Sequence, residues 1–269
     1  KSDMRFMSDI DILISKKDAE KVSIIMNKLG YKTISYGNGK DDVYFKDPIM
    51  NIEIHNLLFD PVYKKYNSFF KPLEDQYNFS NEDFFLFLFV HSIKHYLNSG
   101  IGIRVTIDIY LYLKAKEESL NWNYINKSLK KLELLEFFKA FNHFTKTWFE
   151  DEEENEIDIE IGKYIFNSGT YGNKKNNRLN SLSLEKGKNI QINKIKSIFS
   201  LIFPNLKAMQ AGYPTLKKYP FLLPIFFIIR GLKVILFKRN NLNNIREIIT
   251  LDKNELNKRK DFHSKTGLK

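Results

Sequence analysis

The chain has 269 residues, enough for about two domains with a hydrophobic core. Its formal net charge is +11, which favours anionic partners such as nucleotides, nucleic acids or phosphorylated surfaces, although a chain so rich in Lys, Asn, Ile and Phe also reflects base composition. It has no cysteine, which excludes a disulfide framework and a thiolate zinc site and agrees with a cytoplasmic location.

The first element is the most informative. In Ser8-Asp9-Ile10-Asp11-Ile12-Leu13-Ile14, strand alternation sends Asp9 and Asp11 to one face and Ile10, Ile12 and Ile14 into a core. Two carboxylates so close repel each other and lose solvation unless a cation lies between them. Hard oxygen ligands of this kind suit Mg²⁺ or Mn²⁺. Ala19, Val22, Met26 and Leu29 then recur at helical spacing over Lys16 to Leu29, with Ser15 as a cap and Gly30 as a stop.

Tyr31 to Tyr36 reads as a strand before the Gly37-Asn38-Gly39 turn, and Val43 to Lys46 and Asn51 to Leu57 follow, separated by Asp47-Pro48. In the last of these, alternation puts Asn51, Glu53 and His55 on one face and Ile52 and Ile54 on the other. If this strand lies beside the first, Glu53 completes a trio of carboxylates. That is enough oxygen to hold two ions roughly 3.5 to 4 Å apart, and a third carboxylate can also orient or deprotonate a hydroxyl.

These residues carry a resemblance. The run Arg5-Phe6-Met7-Ser8-Asp9-Ile10-Asp11-Ile12-Leu13-Ile14, the Gly30-Tyr31 helix stop and Ile52-Glu53-Ile54-His55 resemble the nucleotidyltransferase fold of the DNA polymerase β type. More narrowly they resemble the bacterial uncharacterised nucleotidyltransferase family. The likeness continues through His91-Ser92-Ile93-Lys94-His95, Arg104 and Asp108 toward a Pro-containing C-terminal helix near Arg230. It implies that Asp9, Asp11 and Glu53 hold two Mg²⁺ (or Mn²⁺) ions and support transfer of a nucleoside monophosphate from a triphosphate, with release of pyrophosphate. Arg5, Ser8, His55, His91, Lys94, His95 and Arg104 are then the candidate substrate contacts.

One part of the family's pattern is not visible. By resemblance, such enzymes grip the triphosphate with a Gly-Ser or Lys-Gly turn some ten residues before the Asp-x-Asp, using backbone amides as an anion cradle. Eight residues precede Asp9, and none is glycine. The expectation is that the turn lies upstream in a longer protein, as a start at Lys1 favours; otherwise the chain binds nucleotide poorly.

Beyond about Ser80 the chain reads as helical, with Ser80 as N-cap and Asp83 as its capping-box partner. His91 and His95 share a helical face, but without the Glu of a zincin motif they make a poor zinc pair; they either line a helix interface or meet substrate. Trp122 to Phe149 reads as two amphipathic helices, and the acidic run from Glu150 to Glu160 as a solvated helix start. Residues 167–189 lack apolar periodicity and read as a mobile basic loop carrying Lys174, Lys175, Arg178, Lys186 and Lys188. Tyr219 to Phe237 is interrupted too often to span a membrane and reads as a packed helix, with a membrane-surface helix as the second reading. The tail from Lys253 reads as frayed.

The expected fold is therefore α+β: a small mixed-sheet core over residues 1–78, lacking part of its N-terminal side, then a mainly helical domain over 79–269. Three functions compete. A metal-dependent nucleotidyltransferase acts on a small molecule, a peptide or a protein. A nucleotide-sugar-dependent glycosyltransferase also uses Asp-x-Asp, but by resemblance it places about a hundred residues of nucleotide-binding fold before the motif, whereas a helix and three strands follow it here. A non-catalytic module binding anions or nucleic acid is the third. Its stacking platform is not indicated, because the aromatic residues sit on apolar helical faces. Which triphosphate is used, ATP, CTP or another, stays open.

Overall fold

The computed structural model describes residues 10–37, 41–74, 79–184, 190–237 and 239–268. Four short strands, β1 (Ile10–Leu13), β2 (Lys32–Ser35), β3 (Asp41–Lys46) and β4 (Met50–His55), form one mixed sheet in the order β1-β4-β3-β2. The Asp47-Pro48 turn sets β3 antiparallel to β4, with Lys46 opposite Met50 and Asp41 opposite His55. β1 is parallel to β4, a pairing that needs a crossover, and the chain supplies it through α1 (Ala19–Lys28) and the β2–β3 hairpin.

One face of the sheet is covered by α1, where Val22 and Met26 pack on Tyr44, Ile52, Ile54 and Ile14. The helix stops where Gly30 takes φ +82°, with the Gly30 amide donating to the Asn27 carbonyl and the Tyr31 amide to that of Met26. The buried Asp42 carboxylate accepts from the Gly37 amide at 2.7 Å, while Asn38 and Gly39 of the expected turn lie outside the described residues. The expectation that β1 buries its isoleucines needs correction. Ile10 and Ile12 keep 42% and 41% of their surface, because β1 is an edge strand and only Ile14 of the three reaches the cluster around Tyr44.

The remaining elements are helices: α2 (Lys64–Glu74), α3 (Asn81–Asn98), α4 (Ile103–Lys116), α5 (Trp122–Leu132), α6 (Leu135–Glu150), α7 (Glu156–Ser168), α8 (Lys174–Leu184), α9 (Ile190–Ile202), α10 (Leu206–Gly212), α11 (Thr215–Lys218), α12 (Leu223–Phe237), α13 (Arg239–Thr250) and α14 (Lys253–Lys265). The fold is α+β, with one small sheet near the N-terminus and a mainly helical remainder. Two compact units are distinguished, Lys1–Ser92 with Ile109–Leu135, and Ile93–Asp108 with Glu136–Lys269.

Beyond the sheet, the first unit has an aromatic core. Phe59, Phe70, Phe85 and Phe89 are fully buried, with the Phe59 and Phe70 rings 5.5 Å apart. Ser80 caps α3 as expected: its hydroxyl accepts from the Asp83 amide and donates to the Asp83 carboxylate. The other oxygen of that carboxylate accepts from the Tyr124 hydroxyl at 2.7 Å, which ties the start of α3 to α5. Burial, and then that bond, push the Tyr124 phenol up to about 12.

Two expectations for the second unit are corrected. Residues 174–184 form α8 rather than a loop, while 185–189 lie outside the described residues. The buried residues of α8 are Asn176, Leu179, Asn180, Leu182 and Ser183, three of the five polar, which leaves little apolar period in the sequence. The Asn180 amide donates to the Tyr96 and Asn98 carbonyls and to the Tyr164 hydroxyl, and its oxygen accepts from Arg259. Two of the basic residues of the expected loop are held in ion pairs, Lys175 with Glu255 and Arg178 with Glu247. The tail forms α14, anchored by buried Leu256 and Phe262. Among the described residues no helix is long and apolar enough to cross a membrane.

Candidate functional site

The face of the sheet opposite α1 carries the charges. Pairing of β1 with β4 sets Asp11 opposite Glu53 and Leu13 opposite His55, and pairing of β4 with β3 sets His55 opposite Asp41. Alternation does the rest: Asp11, Glu53, His55 and Asp41 fall on one side, while Ile54 and Tyr44 fall on the other, under α1. Neighbouring strands lie about 4.8 Å apart, so carboxylates at equal register meet without any help from a loop.

The geometry centres on an imidazole. His55 Nε2 lies 2.9 Å from Asp11 Oδ1 and 3.8 Å from Glu53 Oε2, and Nδ1 lies 2.6 Å from Asp41 Oδ1. The side chain of His55 is only 12% exposed, whereas that of Asp11 is 57% exposed. One ring therefore bridges carboxylates on three adjacent strands. Carboxylates accept and do not donate, so the ring meets an acceptor at each nitrogen.

Ligand atoms of Asp11, Glu53 and His55 all lie within 4.8 Å of one another. Two carboxylate oxygens and one imidazole nitrogen, open to solvent at Asp11, form a donor set that fits a hard to borderline divalent cation such as Mg²⁺ or Mn²⁺. Asp41, on the far nitrogen of the ring, stands where an orienting carboxylate stands behind a ligating histidine.

The sequence-predicted residues divide three ways. Asp11, Glu53 and His55 come together, and His55, read first as a substrate contact, stands inside the cation-binding group. Arg5, Ser8 and Asp9 lie outside the described residues. His91 belongs to the first unit, where its ring lies 5.6 Å from that of Phe87 and 6.4 Å from that of Phe59. Lys94 and His95 on α3 and Arg104 on α4 belong to the second unit, with His95 and Arg104 exposed and Lys94 half-buried.

Asp41 was missed by reading the strand as starting at Val43. The signal was present: with Asp47-Pro48 as the turn, residues whose numbers sum to 96 pair, which sets Asp41 against His55.

Comparison with known proteins identifies a family. A family profile described as uncharacterised nucleotidyltransferase matches residues 1–150, more than half of the chain. The chain belongs to the uncharacterised nucleotidyltransferase family. Searches of curated proteins and of solved structures found no significant match. The matched residues include all four strands, and the match supports a nucleotidyltransferase-type function. A cavity of about 820 Å³ in the second unit, lined by residues that include Tyr164, Asn176, Glu255 and Arg259, shares none of these residues.

Proposed function

We propose that this member of the nucleotidyltransferase family is a metal-dependent enzyme that moves a nucleoside monophosphate from a triphosphate to an acceptor hydroxyl. The observation that supports this most is the equal register of Asp11 and Glu53 on adjacent parallel strands, with His55 Nε2 between them. Divalent ions held by Asp9, Asp11, Glu53 and the imidazole of His55 would neutralise the phosphates and polarise the α-phosphorus.

The protein's own groups take the remaining steps. Glu53, half-buried beside the ring, accepts the proton of the acceptor hydroxyl as its oxygen attacks the α-phosphorus. The new P–O bond forms while the bond to the β-phosphate bridging oxygen breaks, and pyrophosphate leaves with that electron pair. Asp41 holds the ring of His55 in place from behind and touches neither substrate nor phosphorus. Arg5, Ser8 and His91 are the contacts assigned to triphosphate or acceptor in this reading.

A second reading rests on the same histidine. With Asp11 at 2.9 Å and Asp41 at 2.6 Å, His55 relieves the carboxylate repulsion that otherwise calls for a cation. A cluster held together without a cation fits a non-catalytic module on the same fold, whose anionic or nucleic-acid partner would meet the basic surface rather than these carboxylates.

The test separates the two. The protein is incubated with each triphosphate, labelled in turn at the α- and γ-phosphate, with Mg²⁺ or Mn²⁺ and a cell extract as the source of acceptor. Transfer of α-label with pyrophosphate release, lost in Asp11→Asn and Glu53→Gln, supports the transferase. Equal transfer by wild type and both variants sinks it, and no Mn²⁺ binding in titration calorimetry favours the second reading.

A further inference from the structure

The charge of the chain is not spread evenly. From Lys186 to Arg246 there are twelve Lys and Arg and no Asp or Glu, so the remaining residues carry 31 basic against 32 acidic groups. The whole of the +11 net charge therefore resides in this one segment, which lies in the second unit.

The same segment leaves apolar surface uncovered. Helix α9 buries Asn193 and Lys194, and on its other side Ile192, Ile195, Phe199 and Ile202 form an exposed stripe at spacings of three and four. Helix α12 repeats the arrangement with Ile225, Ile228 and Leu232, preceded by Phe221 at 75% exposure. The two helices are joined. Phe199 packs on Phe203 at 4.9 Å and Phe203 on Phe227 at 5.4 Å, while Arg230 donates to the Leu201 and Ile202 carbonyls at the end of α9.

Among the described residues of this segment the exposed charged side chains are Lys196, Lys207, Lys217, Lys218, Lys233 and Arg246, all of them basic. Two lie over aromatic rings, Lys218 on Tyr219 and Lys233 on Tyr213. Exposed Phe and Ile in a segment whose charges are all basic and partly seated on tyrosine is the composition of a surface that lies in the headgroup layer of a bilayer. Exposed apolar residues in such number mark an interaction site rather than ordinary surface.

We propose that α9 and α12 dock the protein onto an anionic phospholipid membrane, without crossing it. Charge selects this occupant over a second copy of the chain, because two copies meeting by these faces would bring lysines together with no carboxylate in either segment to offset them. The proposal is independent of the catalytic reading, since these helices lie outside residues 1–150.

The test is flotation of the full chain with vesicles of equal parts phosphatidylglycerol and phosphatidylcholine, beside vesicles of phosphatidylcholine alone. Binding is expected on the anionic vesicles only and is expected to weaken in high salt. Ile195→Glu/Ile228→Glu and, separately, Lys217→Glu/Lys218→Glu should each lower it roughly tenfold or more. Phe166→Ser, which changes an exposed aromatic on α7, should leave it unchanged. Circular dichroism melts confirm that each variant folds. No flotation, equal flotation on neutral vesicles, or retained binding by either double variant overturns the proposal. So does a dimer in sedimentation that Ile195→Glu/Ile228→Glu abolishes while the wild type ignores vesicles.

Discussion

Asp41 Oδ1 lies 2.6 Å from Nδ1 of His55, on the neighbouring strand and at the same register. That contact lies on the far side of the imidazole from Nε2, which faces Asp11 and Glu53. A positioning role of this kind is expected to show in cation affinity as well as rate. Asp41→Asn should weaken Mn²⁺ binding about 10- to 100-fold, measured by calorimetry, and lower turnover by a similar factor. Asp41→Glu should restore part of both. Unchanged Mn²⁺ affinity in Asp41→Asn would show that the ring needs no support from β3.

Asp11 and Glu53 are expected to behave differently from core residues. Asp11 is exposed and Glu53 half-buried, so Asp11→Asn and Glu53→Gln should melt within a few degrees of wild type. Loss of the proton acceptor should lower α-label transfer by about 10² to 10⁴-fold in Glu53→Gln. Large losses of both stability and transfer would mean that the cluster is a structural ion pair.

Acid sensitivity is expected from the second unit. His263 is 2% exposed, and burial, with Arg259 adding to it, pushes its pKa from 6.5 down to about 3. Between those two values the unfolded chain holds a proton that the native state refuses, so stability is constant above about pH 6.5 and falls as pH drops toward 3. Within this window the group contributes a slope of up to about 1.4 kcal/mol per pH unit. Urea unfolding across pH 4 to 7 should show a shallower slope for His263→Gln; parallel slopes would rule the histidine out as the source.

Asn180 holds a fully buried network. Replacing it with Leu strips partners from the Tyr96 and Asn98 carbonyls, the Tyr164 hydroxyl and Arg259 together. The expected cost is about 3 kcal/mol or more, against roughly 1 kcal/mol for Tyr164→Phe, because orphaned buried groups lose hydration without replacement. Chemical denaturation of both variants decides it, and equal, small losses would show that water replaces the amide.

What was legible in the sequence was local. Alternation in Ile10-Asp11-Ile12 and Ile52-Glu53-Ile54-His55 assigned Asp11 and Glu53 to a face, and the Gly30 stop, the Ser80 cap and helices α5 and α6 follow from signals within a few residues. The family likeness was legible for the same reason, since its motifs are short runs. Polar burial was not legible: α8 packs through asparagines, and α14 sits in a charged tail that hydropathy marks as solvated.

Residue order, through strand alternation and turn chemistry, determined by itself that Asp11, Glu53 and His55 would be available on strand faces. Only tertiary structure decided that β1 would lie parallel to β4 at the register that sets Asp11 against Glu53. Tertiary structure also decided which apolar stripes stay open, at α9 and α12, and which side of α8 is covered. The physical reason is that strand register and helix burial depend on surfaces supplied by segments distant in the chain, whereas a residue's own periodicity states only which face it shares.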